Sequence, residues 1–203
     1  MGARGVAPKA REARPRGRDE IVAALIGACE RLCGATPLPL VSVRDIAREA
    51  DVTTGLVHHY FESKDALLVA TLRSMSSEID TVAAEALEAT SDPAEMVRAV
   101  WRFSQERPAF MLIVAWWLLE GRNVSEAMGD HPFPRRLAVA LGGTGDPDGQ
   151  TDAAVIGSML VAGTVFRLGF NRALGRPIDD LALPDRFESA LVEVTVGVAD
   201  PRG

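Results

Sequence analysis

Ser42-Val-Arg-Asp-Ile-Ala-Arg-Glu-Ala-Asp-Val-Thr-Thr-Gly-Leu-Val-His-His-Tyr-Phe-Glu-Ser-Lys64 is the stretch from which the rest of this chain can be read. Ser42 is a good N-cap, and Asp45, three positions on, can reach back to its amide in a weaker form of the capping box. Val43, Ile46, Ala47 and Ala50 fall on one helical face, with Arg44, Arg48 and Glu49 elsewhere, so a short first helix buries one stripe. Asp51-Val52 makes a bend. Thr53 opens a second helix whose Val57, Tyr60 and Phe61 face inward. Thr54, Gly55, Leu56, His58 and His59 are left near its N-terminal and outer side, where a recognition helix meets base edges and phosphates. Ser63 caps a third helix and puts Lys64 in its first turn, where an ammonium and free backbone amides can together hold a phosphate.

With those residues in register, the stretch resembles the N-terminal domain of the TetR family of bacterial one-component transcriptional regulators. The family pattern runs Ser/Thr-Val-Arg-Asp-Ile-Ala, then Gly-Val-Ser-x-Gly-Thr-Leu-Tyr-x-Tyr-Phe, then x-x-Lys-x-x-Leu. Val43, Arg44, Asp45, Ile46 and Ala47 match it, as do Val52, Gly55, Tyr60, Phe61, Lys64 and Leu67. Upstream, Arg18-Asp19-Glu20-Ile21 resembles the opening of the family's first helix. Asp51 stands in place of the usual turn glycine and must accept a left-handed conformation, which Asp does better than most non-glycine residues. Leu56 and His58 stand where Thr and Tyr are usual, so the family's hydroxyl and phenol are replaced there.

The whole chain fits that frame. Its 203 residues, 47% of them hydrophobic, can build a substantial core and one to two domains. Aromatics are few, alanine is abundant, and Gly or Pro clusters separate long periodic segments, so an all-α fold is expected with no convincing alternating strand. Net charge is −6, but residues 1–18 carry +5, residues 1–75 sum to +2 and residues 76–203 to −8. A mildly basic end on an acidic body would orient the molecule on a polyanion. Residues 1–17 read as a disordered basic arm, either a solubilising leader or a DNA arm, 18–66 as the helix-turn-helix domain, and 67–203 as an effector-binding and dimerisation domain.

The basic leader before Ile21 to Cys29 superficially resembles a lipoprotein signal. Asp19 and Glu20 abut the apolar run, however, and Ile21, Leu25, Ala28 and Leu32 continue at helical spacing. The longest uncharged runs, Pro108 to Leu119 and Ala153 to Phe166, fall short of the ~18 to 20 residues that span a bilayer. A cytoplasmic protein is expected. Cys29 and Cys33 share one face of the first helix, where a disulfide would sit near its geometric limit and a metal would need further ligands; small core residues are the better account. No metal or other cofactor is expected.

Beyond Lys64 the helical pattern continues through Leu67, Leu68, Leu72, Met75, Ile79 and Val82 toward Thr90, far longer than a DNA module needs. Ser91-Asp92-Pro93 starts the next helix, Pro108 interrupts, and Ala109 to Gly121 is apolar nearly all round. His131-Pro132-Phe133-Pro134 begins a short helix. The glycine-rich stretch 142–149 lacks the features of a phosphate loop or a calcium loop and is expected to be a loop. A long helix from Thr151 is followed by a last one opening at Leu183-Pro184-Asp185, with Phe187, Leu191, Val194 and Val198 inward. In the family this chain resembles, the last two long helices pair with a second copy as a four-helix bundle, and the helices between enclose a ligand pocket.

The resulting expectation is a homodimeric, ligand-responsive repressor binding a palindromic double-stranded DNA operator. Phosphate contacts are assigned to Ser42, Arg44, His58, Tyr60 and Lys64, base reading to Thr54, Gly55, Leu56 and His59, with Thr53 at the helix start. Because adjacent helical residues point about 100° apart, at most one of His58 and His59 packs inward. Trp101, Phe110, Met111, Trp117, Phe133, Met159, Phe166 and Phe170 are candidates to line an apolar pocket, against the plainer reading that such residues form core. They favour a lipophilic or aromatic effector, and Glu120 or Arg167 could meet a polar group. An enzyme is not expected, since no Ser/His/Asp set, phosphate loop or zinc spacing appears. The alternative is a helical architectural or partner-binding protein without a small-molecule effector.

Overall fold

The structure, a computed structural model, describes residues 17–128, 132–141, 147–166 and 182–199. Among them every regular element is helical: α1 Arg18–Ala35, a 3₁₀ turn Leu38–Leu40, α2 Val43–Glu49, α3 Thr54–Tyr60, α4 Lys64–Thr90, α5 Pro93–Glu106, α6 Ala109–Leu119, α7 Val124–Met128, α8 Pro132–Leu141, α9 Pro147–Val165 and α10 Ala182–Ala199.

Local chemistry sets the boundaries. Ser42 accepts from the Asp45 amide at 3.2 Å and its own amide donates to the Asp45 carboxylate at 3.1 Å, the reciprocal cap that opens α2. This cap, with the Ser42 hydroxyl and Arg48 behind it, holds the Asp45 carboxyl below the ordinary carboxylate value. Asp51 turns the chain at φ 53°, the left-handed conformation that the missing glycine required. Ser63 caps α4 through the Ala66 amide at 3.1 Å, and Asp92 caps α5 through the Ala94 amide at 2.9 Å with Pro93 in the first turn.

α1 packs against both α4 and α2, and α2 against α3, burying Ile21, Leu25, Ala28, Ile46, Ala47, Val57, Leu67 and Leu68. The core runs on without a break along α4 into Met75, Ile79, Met96, Val97, Trp101 and Ile113. Burial of this kind stabilises by roughly 25 cal/mol per Å² of apolar surface, so the continuous core ties both ends of α4 together. Arg107, just past α5, adds a polar joint. Its guanidinium meets Glu30 of α1 at 2.5 and 2.7 Å, and it also pairs with Glu78 of α4. These hydrogen bonds, Glu30 first, push the Arg107 pKa up further.

Three expectations need correction. The helix expected from Thr151 begins at Pro147, so part of the stretch 142–149 is helical: proline at the first helical position has its φ set already and no amide to satisfy. The short α7 was not foreseen; five residues are too few to show a period. Two residues of the stripe on α10, Phe187 and Leu191, already have partners within the chain, and the side chain of Val198 lies outside the description. Leu191 is 1% exposed within one chain, and Phe187 stacks on Trp101 of α5, ring centroids 4.8 Å apart. Opposite it, a Cβ at Gly163 of α9 would overlap the Phe187 ring, so glycine is needed there for close approach.

Candidate nucleic-acid interface and effector cavity

The protein's own packing uses little of the outer side of α3. Val57 is buried and Leu56, Tyr60 and Phe61 lean on the core, whereas Thr53, Gly55, His58 and His59 are exposed and Thr54 is half-buried. Thr53 occupies the N-cap with extended backbone but makes no capping hydrogen bond with its side chain, contrary to the role its position suggests. His59 sits edge-on to Tyr60, centroids 4.8 Å apart. Both histidines point outward, within the limit of at most one inward. Gly55 is informative because nothing among the described residues demands it: an added Cβ would meet only Thr53 Oγ1, at an ordinary 3.9 Å.

Around this helix, Ser42 and Arg44 lie exposed at the start of α2, Ser42 holding the cap with Asp45. Lys64 is half-buried, and its Nζ donates to the Leu38 carbonyl at 2.8 Å, a partner the sequence did not reveal. An ammonium has three donors. One is committed to the 3₁₀ turn, fixing the group at the mouth of α4. Next to it Asp65 pairs with Arg122 at 3.0 Å, and the Arg122 guanidinium lies 3.7 Å from the centre of the Trp117 ring. A charged contact therefore runs from the end of α6 to the first turn of α4.

A cavity of about 760 Å³ opens between α8, α9 and the end of α6. Its walls include Leu118, Pro134, Ala138, Ala154, Val161 and Phe166, with Arg135, Gln150 and Ser158 as polar groups. Of the aromatic and methionine candidates, Phe166 alone lines this cavity among the described residues. Trp101, Phe110, Met111, Trp117 and Phe133 are buried as core, Met159 is half-buried against it, and Phe170 and Arg167 lie outside the described residues. Trp101 also borders a smaller cleft toward α10. Glu120 is exposed beside Arg122, away from the cavity walls. The signal that would have found the cavity is the run of small residues Ala153, Ala154, Gly157, Ser158 and Ala162 at helical spacing on α9, since small side chains leave room where large ones fill it.

The comparisons with known proteins agree with this geometry. Residues 25–71 match the sequence profile of bacterial regulatory proteins of the tetR family. The chain is 38% identical over 117 residues to the HTH-type transcriptional regulator BetI of Rhizobium meliloti, covering 57% of this chain and 56% of that protein. It is 38% identical over 95 residues to BetI of Agrobacterium fabrum, covering 46% of each. The matched part spans about half the length of these curated relatives. Among solved structures, a transcriptional regulator from Rhodococcus sp. superposes with a TM-score of 0.67 at 22% identity, over 89% of this chain and 96% of that one. A TetR-family regulator from Streptomyces coelicolor gives 0.65 at 22%, over 90% and 96%. At these identities the two structures speak for the fold.

Proposed function

Because the chain belongs to the TetR family of bacterial regulatory proteins, we propose that it is a homodimeric repressor that leaves a palindromic operator when a small apolar effector binds. The observation that carries this reading is the unused outer side of α3: Thr53, Thr54, Gly55, His58 and His59 project from a helix whose inner side is anchored, and the fold gives Gly55 no reason to lack a side chain. In this reading residues 18–66 are the DNA-reading unit and 67–203 the effector and dimer unit, with the boundary inside the unbroken α4. Thr54, Gly55, Leu56 and His59 read base edges. Ser42, Arg44, Thr53, His58, Tyr60 and Lys64 hold phosphates. Lys64 would bridge the Leu38 carbonyl and a phosphate, making the 3₁₀ turn part of the same clamp.

The effector reading rests on the ~760 Å³ cavity and its largely apolar walls, a size that suits a small lipophilic molecule. Leu118 lines the cavity and Trp117 precedes it, so a ligand that moves the end of α6 disturbs Arg122 and, through it, Asp65 beside Lys64. The effector must bind better to the conformation that fits DNA worse, since equal affinity shifts nothing.

Selection of bound sequences from random DNA, repeated for three variants, tests the DNA assignment. Lys64→Ala should weaken binding to all sequences and lower the salt slope by about one. Thr54→Ala and His59→Ala should change which bases are preferred. Equal loss across all sequences for all three would remove the base readers from α3, and no selected palindrome at all would favour an architectural role.

A further inference from the structure

Cys29 and Cys33 lie one turn apart on α1, both buried, with their sulfurs 3.9 Å from each other. Two thiols so placed can close a disulfide or share a metal ion, and distance separates the two. A disulfide needs sulfurs at about 2.05 Å and Cβ atoms near 3.8 Å, whereas residues four apart on a helix hold their Cβ atoms about 5 to 6 Å apart. Closing that ring would unwind α1, which is packed against α2, α4 and α6. With the zinc–thiolate length of about 2.3 Å as a guide to metal–sulfur bonds, a cation bound linearly between two thiolates spans ~4.6 Å. The sulfurs would have to separate by only about 0.7 Å, a small side-chain rotation within an intact helix.

We propose that Cys29 and Cys33 form a two-coordinate site for a thiophilic monovalent cation of the copper(I) and silver(I) class. Soft thiolates select such ions. Among the described residues no group of three or more His, Cys, Asp or Glu side chains is placed to hold a metal, so the four-coordinate demand of zinc is not met here. Access exists on one side: Cys33 lines a cavity of about 420 Å³ between the turn Gly34 to Pro39, α6 and Val165, which brings the exterior to its sulfur, 3.9 Å from that of Cys29. Atoms and charges balance in the binding step. Two thiols release two protons to solvent and each sulfur donates an electron pair to the cation, leaving one net negative charge with no change of oxidation state.

The test titrates the full, reduced chain with silver(I) nitrate, and separately with copper(I) in acetonitrile, against excess glutathione. Native mass spectrometry counts ions, a thiol reagent counts free cysteines and circular dichroism follows helix. The expected result is one cation per chain, joint loss of both thiols and unchanged helicity. Cys29→Ser and Cys33→Ser, each checked for folding, should bind at least about 100-fold more weakly, because the second thiolate acts at high effective concentration. The wild-type stoichiometry decides the matter even if a variant fails to fold. Two cations per chain, uptake only after unfolding in urea, or wild-type affinity in Cys33→Ser would overturn the site. So would peroxide forming the disulfide with helicity intact, since that would show the sulfurs approach each other freely.

Discussion

Gly55 separates what the fold requires from what DNA would require. Its conformation is helical and its surroundings are open, so Gly55→Ala should leave stability unchanged or raise it by up to ~1 kcal/mol, the helix preference for alanine. DNA binding should fall several-fold or more, because a Cβ would stand between the helix backbone and the groove. Thermal unfolding and a binding titration on one preparation check both halves, and unchanged affinity would mean the backbone does not approach DNA at this point. At this scale the sequence is most readable. Ser42 with Asp45 and Ser63 act on atoms within three residues of themselves, so spacing announces them, while the resemblance to the family's turn glycine implied the positive φ of Asp51. Lys64 on the Leu38 carbonyl and Arg107 on Glu30 and Glu78 join residues far apart in the chain, and no local pattern encodes such a meeting.

Between elements, the contact of α5 with α10 rests on Glu188, which accepts from Arg98 at 3.0 Å and from Arg102 at 2.9 Å. Burial raises the pKa of this carboxyl, but the hydrogen bonds from Arg102 and Arg98 outweigh it and hold it below the ordinary glutamate value. A folded-state pKa below the unfolded one contributes stability that is present above the unfolded value and lost as pH falls through the folded value. Glu188→Gln should therefore destabilise by about 1 to 2 kcal/mol at neutral pH, discounted for the partly exposed arginines. The difference from wild type should shrink to nothing as the pH drops well below about 4.3, the ordinary glutamate value. Urea midpoints of both proteins across that range measure it, and a constant difference would show that the carboxylate charge plays no part. The helices α4 to α6 were readable from cap and proline signals. The cavity was not read from the sequence, because the small residues of α9 leave room only where α6 and α8 meet that helix in the fold.

For the molecule as a whole, the dimer proposed above would cover exposed apolar surface on α9 and α10. Val155, Phe166 and Val196 are 46, 52 and 51% exposed at the C-terminal end of the chain, while Leu191 faces the core of its own chain. Val196→Arg should give folded monomers by sedimentation, a charge meeting its own copy across a two-fold axis. Leu191→Arg should instead lose helix and melt early, and folded monomers from it would place the interface on the other side of α10. Effector coupling also belongs to this scale. All three tryptophans lie between 101 and 117, so a ligand in the cavity should alter their fluorescence. Its affinity should fall in the presence of operator by the same factor as it weakens DNA binding. Identical ligand affinity with and without operator would leave a regulator set by its abundance or by a partner. The 27 residues of α4 give this coupling its mechanical advantage. At 1.5 Å per residue the helix is a rod about 40 Å long, so each degree of tilt carries one end through ~0.7 Å. In a two-fold pair the displacements add, and a tilt of about 5° changes the gap between reading heads by ~7 Å, a fifth of the ~34 Å groove repeat. In the proposed switch, a stiff rod of this length would convert a sub-ångström adjustment beside a ligand into a misfit with the operator.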